Sequence, residues 1–403
     1  MINLETPRKL QPLVNQAHQV ANEVFRPISR KYDTAEHTYP KELDMLASMI
    51  DGMNEGGENS AGAAGVRRHA NANSDSANRN GSNLSTVLSI IELAWGDVGL
   101  LLTMPRQGLG NSAIASLATS EQLETYGGRW AAMAITEPEA GSDSAAIRTT
   151  ARQDGEEYVL DGEKIYVTSG ERAELVVVWA TLDPSKGRAA IKSFIVERSN
   201  PGMKLERLEH KLGIRASDTA AFRLEDCRVG KDALLGSPMV DVKGGFGGAM
   251  QTFDNTRPLV AAMAVGVARA ALDETHRLLA EAGAYIDYDL PALHQGAAAA
   301  RLLAMEADYE AARLLTLQAA WMADNNKPNS LQASMAKAKA GRTCVNVTLG
   351  CVALCGSVGY GEHELLEKWA RDAKILDIFE GTQQIQLLII ARQLLGKSSA
   401  ELK

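Results

Sequence analysis

The sequence predicts an α+β protein in three parts: an N-terminal α-helical domain (1–128), a central antiparallel β domain (129–240) and a C-terminal four-helix bundle (241–403). Three observations predict it. Apolar residues recur at helical spacing up to about residue 125. Between Ala131 and Arg223 the texture changes to short β-rich runs set off by turn residues. After the glycines 244, 245, 247 and 248, long Ala- and Leu-rich stretches continue almost to the end.

Residues 6–50 read as helical. Pro7 suits a first turn, apolar positions recur through Val24, and Tyr39-Pro-Lys-Glu-Leu-Asp-Met-Leu begins a second helix. From Asp51 to Asn83 the chain turns to Gly, Asn, Ser and Ala, which predicts a surface loop or a partly disordered segment. Helical spacing returns from Leu84 to about Thr125, interrupted near Gly108 and Gly110. Strands are expected in Glu157-Tyr-Val-Leu, Lys164-Ile-Tyr-Val-Thr, Leu175-Val-Val-Val-Trp-Ala and Ser193-Phe-Ile-Val-Glu. Asp154-Gly, Asp161-Gly and Asn200-Pro-Gly read as the turns between them. Helices are expected at 257–282, 291–324, 330–357 and 384–396.

Composition excludes some classes of function. With 403 residues there is room for two or three domains around a sizeable core. The net charge of −8 argues against a general nucleic-acid binder, which needs clustered Lys and Arg. No apolar run is read as approaching the roughly 20 residues that span a bilayer, so no transmembrane segment is expected. The N-terminus shows no signal-peptide core, which predicts a cytoplasmic protein. Cys227, Cys344, Cys351 and Cys355 read as free, largely buried thiols. The seven histidines are scattered without metal-type spacing, and no metal is expected.

The chemistry centres on Arg371-Asp-Ala-Lys-Ile-Leu-Asp-Ile-Phe-Glu-Gly-Thr382. Gly381 breaks a helical run just before a second apolar stretch, which leaves Glu380 at a junction between two buried-looking segments. A carboxylate in apolar surroundings has its pKa raised toward neutrality, where a general base works best. Read alone, the same pair also fits a helix end facing water. A second segment, Ile135-Thr-Glu-Pro-Glu-Ala-Gly-Ser-Asp143, offers N–H and O–H donors in a turn fixed by Pro138 and Gly141. Such a turn suits a polar heterocycle or phosphate, and equally an ordinary loop entering a strand.

Taken together, Thr136-Glu-Pro-Glu-Ala-Gly-Ser-Asp143, Asp161-Gly-Glu-Lys-Ile-Tyr-Val-Thr168, Lys211-Leu-Gly-Ile-Arg-Ala-Ser-Asp-Thr219, Phe253-Asp-Asn-Thr-Arg-Pro258 and Glu380-Gly-Thr382 resemble the acyl-CoA dehydrogenase family, in that family's order. The resemblance implies the three-part fold and an FAD between the last two domains. Met133, Thr136, Gly141 and Ser142 would line the flavin, with Thr136 and Ser142 as hydrogen-bond partners. Tyr166 stands where the family usually has Trp against one flavin face, and Thr168 would lie near N5. Thr382 and Gln384 would hold the linking portion of FAD, and Gln295 would contact the cofactor of a neighbouring subunit. Asp254 and Arg257 would contact the acyl-CoA with Ser142, although their i,i+3 spacing also suits a structural ion pair. Gly381 would let the thioester lie close. Glu380 would be the base that removes the α-proton while the β-hydrogen leaves as hydride to flavin N5, giving a trans-2-enoyl-CoA.

This chain departs from the family pattern in four places. Ala284 stands where an Arg usually holds a neighbour's FAD, and Ala353-Leu-Cys-Gly-Ser357 replaces a Gln-x-x-Gly-Gly turn. Residues 51–83 are less apolar than the family's pocket roof, and Tyr126-Gly-Gly-Arg-Trp130 replaces a longer connection. The first two departures fit either a homotetramer with looser cofactor binding or a heterotetramer with a related subunit. The resemblance implies an electron-transfer flavoprotein as acceptor. An oxidase using O₂ and a non-catalytic scaffold subunit are the other readings.

Overall fold

The computed structural model describes residues 6–54, 80–106, 108–240, 247–398 and 401, with the main chain alone at 49–54 and 247–255. Most of the segment expected as a loop over 51–83 lies outside the described residues. Helix α1 (Gln11–Val20) runs through a π-turn (Ala21–Phe25) into α2 (Arg26–Thr34), and α3 (Glu42–Asn54) continues past the expected loop start. Then come α4 (Ser82–Thr103), α5 (Leu109–Leu117) and α6 (Ser120–Tyr126). Thr119 and Gln122 start α6 with a capping box, each side chain accepting the other's backbone N–H.

The sheet has seven described strands: β1 (Ala131–Ala134), β2 (Thr150–Asp154), β3 (Glu157–Thr168), β4 (Leu175–Thr181), β5 (Ile191–Glu197), β6 (Met203–Leu208) and β7 (Thr219–Gly230). It is mixed, which corrects the antiparallel expectation. β1 pairs with β4 in parallel, Ala131 opposite Leu175, and β2 touches β4 in parallel at Thr150–Thr181. The remaining pairs are antiparallel. Turn residues report hairpins well, but a parallel pair is made by a long return of the chain that leaves no local signal. Asp161-Gly162 is likewise no turn. It lies inside the 12-residue β3, where a Cβ on Gly162 would meet Thr149 Oγ1 at 2.5 Å. The glycine is there for close approach, not for reversal.

The C-terminal helices are α7 (Gly247–Glu281), α8 (Ala297–Asp324), α9 (Ser330–Tyr360), α10 (Leu366–Leu376) and α11 (Gln383–Leu395). Residues 291–296, expected in a helix, form a connection with one 3₁₀ turn, because Pro291 and Gly296 both have extended ψ. One apolar cluster joins α4, α7, α8, α9 and α10, and a second fills the sheet. Cys227, Cys344 and Cys351 are buried free thiols, and Cys355 is half-buried. Two helices correct the expectation about apolar runs. Ser82–Thr103 and Ser330–Tyr360 are long and apolar enough to cross a membrane by length and composition. For α4, 78% of that stretch is buried inside the protein, so packing accounts for its apolar character.

A buried charge cluster fastens α10 to both earlier segments. Lys368 Nζ lies 2.7 Å from Asp97 Oδ2 and 2.5 Å from Asp372 Oδ2, and all three side chains are out of water. Asp97 leaves helical geometry inside α4 (φ −167°, ψ 119°), accepts from Leu100 N–H and takes the Ser29 hydroxyl. Asp372 accepts from Ile214 N–H at 2.5 Å. Beside it Arg371 forks onto Asp33, at 3.0 and 2.6 Å, and donates to Leu212 O. A Cβ on Gly213 would come within 2.6 Å of the Arg371 and Asp372 backbone, so only glycine lets the 211–219 segment pass this close.

Candidate active site

Past Leu376 the chain makes a tight turn before Thr382 caps α11 by accepting from Ile385 N–H. Glu380 takes a left-handed φ of 55°, and Gly381 follows at 90°. A non-glycine residue there costs of order 1–3 kcal/mol and persists only where its surroundings over-determine it. Here they do. Gln386 Nε2 donates to Glu380 O at 3.1 Å and to Gly381 O at 3.2 Å, and Lys337 Nζ donates to Gly381 O at 2.7 Å. Both carbonyls of the turn are therefore held from the α9 and α11 side.

Thr256 Oγ1, on α7, donates to Glu380 Oε2 at 2.8 Å. Burial raises the pKa of the half-buried Glu380 above the usual carboxylate value. The Thr256 hydroxyl and the charges of Arg257 and Lys337 pull in the other direction without cancelling it. The result is an oriented carboxylate with raised proton affinity, as proton abstraction near neutral pH requires.

A second group of expected site residues lies on the loop after β1. Ile165 N–H donates to Thr136 O at 2.9 Å, which sets the loop beside β3. Glu137 folds beneath it and is buried: Oε2 accepts from Arg148 N–H, and Oε1 accepts from Thr149 and from Lys164 Nζ at 2.7 Å. Lys164 is fully buried, and desolvation lowers its pKa to about 8. Its charge in turn holds the Glu137 carboxyl below the usual value. The β3–β7 register slips between Lys164 and Val167, and Tyr166 sits in this bulge at φ 57° with 62% of its surface exposed. A bulge turns a side chain out of its regular alternation. An aromatic face thus stands beside a loop that offers the half-buried Thr136, the exposed Ser142 and, on the same strand, the half-buried Thr168.

Comparison with known proteins decides what this arrangement belongs to. Residues 132–227 match the middle domain of acyl-CoA dehydrogenases and 243–395 match the C-terminal domain. The chain belongs to the acyl-CoA dehydrogenase family. It is 37% identical over 317 residues to the short-chain specific acyl-CoA dehydrogenase, mitochondrial, of Bos taurus, covering 77% of this chain and 75% of that one. It is similar in structure to butyryl-CoA dehydrogenase from Megasphaera elsdenii, with a TM-score of 0.82, 29% identity and coverage of 98% and 100%. A chain from a structure described under the electron transferring flavoprotein of Acidaminococcus fermentans gives a TM-score of 0.82, 31% identity and the same coverage.

As an acyl-CoA dehydrogenase-family enzyme the protein is an FAD-dependent oxidoreductase. Its residues fit the flavin: an aromatic side chain stands exposed in a β-bulge, hydroxyl residues Thr136, Ser142 and Thr168 lie on the adjoining loop and strand, and Gly141 leaves only Thr136 Cγ2 near its missing Cβ, at 3.9 Å. Met133 lies half-buried on β1, packed against the cluster of Ala140, Ile147, Trp179 and Ile191. Thr382 and Gln384 stand at the start of α11, next to Glu380 in the chain, with Gln384 exposed.

Other expected site residues fare differently. Arg257 is buried and its charge acts on Glu380, whereas the side chain of Asp254 lies outside the described residues. Gln295 uses its amide locally, donating to Asp287 O and Leu290 O and accepting from Asp287 N–H, and so closes the α7–α8 connection. Sequence reasoning missed Thr256, Lys337, Glu137 and Lys164. Thr256, Glu137 and Lys164 each lay inside a motif already singled out, but their partners did not show. It also missed that folding gathers Glu36, His37 and His210, whose ligand-type atoms lie within 4.8 Å of one another. The histidines are therefore less scattered than their spacing implies, although Glu36 already accepts from Lys211 N–H and pairs with His210.

Proposed function

We propose that this enzyme oxidises an acyl-CoA thioester to the trans-2-enoyl-CoA, with Glu380 as the base that removes the α-proton. The observation that carries the reading is the Glu380 carboxylate itself: raised in proton affinity by burial, aimed by Thr256, and set on a left-handed turn with pinned carbonyls. The Glu380 N–H, on the same turn, would receive the thioester oxygen and stabilise the developing enolate. Gly381 has no side chain to obstruct that approach. Arg257 and Lys337 favour the ionised, proton-accepting form of Glu380. Tyr166, Thr136, Ser142 and Thr168 would hold the flavin of FAD, and Thr382 and Gln384 its linking portion. Bound FAD supplies the acceptor for the β-hydrogen and its electron pair.

Relatives named for short-chain and butyryl substrates favour a short acyl group, and the Acidaminococcus structure's description favours an electron-transfer flavoprotein as acceptor. The reading includes a tetramer, either of this chain or shared with a related subunit. Exposed Leu387, Leu388, Leu394 and Leu395 on α11 support such an assembly, and Ala284 supports a subunit with altered cofactor contacts.

The test is to add a panel of acyl-CoAs anaerobically to the flavin-loaded protein and follow bleaching of the flavin band. Wild type bleaches with a short-chain acyl-CoA, and Glu380→Gln slows this by about 10²-fold or more with its flavin content unchanged. Bleaching by Glu380→Gln at the wild-type rate would remove Glu380 as the base.

A further inference from the structure

Lys337 is a fully buried lysine in an Ala-rich helix, MAKAKAG, and among the described residues nothing provides the complete ion pair that such a charge normally has. Its one hydrogen bond among the described residues is the 2.7 Å contact to Gly381 O. Three charged groups bear on it. Asp377 at the end of α10 and Glu380 on the turn attract it, Arg257 on α7 repels it, and Asp377 is itself shared with Arg342 and Lys374. Burial outweighs the attractions and lowers the Lys337 pKa to about 8.

The geometry around Lys337 is built for contact with the 376–381 segment. Gly341, one helical turn further along α9, faces the same segment: a Cβ there would stand 2.7 Å from Leu376 O and 3.2 Å from Asp377 Cα. Ala336 and Ala340 are buried beside them. A small-residue stripe thus draws α9 close to the catalytic turn, and Lys337 fills the remaining gap with an ammonium group.

We propose that Lys337 is a positioning residue for the reaction: it holds the Gly381 carbonyl, and with it the left-handed Glu380–Gly381 turn, while its charge acts on the Glu380 carboxylate. The inference rests on the assignment of Glu380 as the base. Two effects follow from one side chain. The hydrogen bond fixes where the carboxylate and the Glu380 N–H point, and the charge lowers the proton affinity that burial has raised. Gln386 Nε2 also donates to Gly381 O, so loss of Lys337 does not leave that carbonyl orphaned. Replacing a poorly paired buried charge by an apolar chain of similar volume is often tolerated by the fold.

The experiment compares Lys337→Arg, Lys337→Gln and Lys337→Met as flavin-loaded enzymes. Two readouts are taken: the acid limb of kcat/KM, and an infrared difference titration of the Glu380 carboxyl, identified as the band missing from Glu380→Gln. Met and Gln remove the charge, so both the limb and the band move to higher pH by about half a unit or more, while Arg leaves them in place. Gln keeps an N–H donor for Gly381, so its kcat on the plateau stays above that of Met, which falls by roughly tenfold. A carboxyl band and acid limb at wild-type pH in both Met and Gln would overturn the charge role, and equal plateau kcat in all three would overturn the positioning role. If Glu380→Gln itself retains activity, the base assignment fails instead, and the two failures are told apart.

Discussion

Lys164 Nζ and Glu137 Oε1 lie 2.7 Å apart with both side chains buried, and this ion pair joins the loop after β1 to β3. Thr136 and Ser142 sit on the loop it holds, and Tyr166 lies two residues beyond Lys164. The pair is thus part of the framework under the residues proposed to hold the flavin.

Lys164→Met leaves a buried carboxylate facing no cation. Removing one partner of such a pair costs about 3–5 kcal/mol. The expected outcome is a lower midpoint in chemical denaturation together with weaker retention of FAD on dilution. The pair also sets a pH dependence. The Glu137 pKa is lowered in the folded state, so its stabilisation is present above the ordinary glutamate value of 4.5 and is lost as pH falls through the folded value. Acid unfolding followed by tryptophan fluorescence should show a wild-type dependence below pH 4.5 that weakens in the variant. An unchanged denaturation midpoint and FAD affinity would show that the loop holds itself.

Gly381→Ala acts on the turn itself. Its φ of 90° is strained for alanine, and a Cβ would collide with Gln386 Nε2, the donor to both turn carbonyls. The Glu380 carboxylate and N–H should both shift. Misplacement by about 1 Å can cost on the order of 10²-fold, so a fall in kcat of roughly tenfold or more is expected with flavin content retained. A kcat within twofold of wild type would mean that the turn relaxes around the methyl group.

Lys368→Met tests the junction of α4, α10 and the 211–219 segment. It strands Asp97 and Asp372 together in the interior, where the Asp372 pKa is already raised by burial. A loss of about 3–5 kcal/mol is expected in denaturant titration. Adding Asp372→Asn should restore part of it, because one buried negative charge is then removed. Additive losses in the double variant would sink the idea of a coupled cluster.

The sequence by itself determined the order of the three segments, nearly all described helices, and the residues that carry the family resemblance. Periodicity reports which face of a helix is apolar, and motifs keep their spacing along the chain, so both are local and legible. Glu380 could be singled out because a glycine and flanking apolar residues marked its neighbourhood. Tertiary structure alone decided the rest. Strand propensity put Tyr166 in regular alternation, but the β3–β7 register slip gave it a left-handed backbone. Asp161-Gly162 looked like a turn because a glycine permits reversal and close approach alike, and only the nearness of Thr149 shows which one is used. Lys337 lies within a helix the sequence predicts, but its burial follows only from the packing of α9 against the Glu380–Gly381 turn. The Thr256–Glu380 contact spans 124 residues, and Lys164–Glu137 spans 27. A buried polar group's partner is chosen by which elements pack together, and no window of sequence contains that choice.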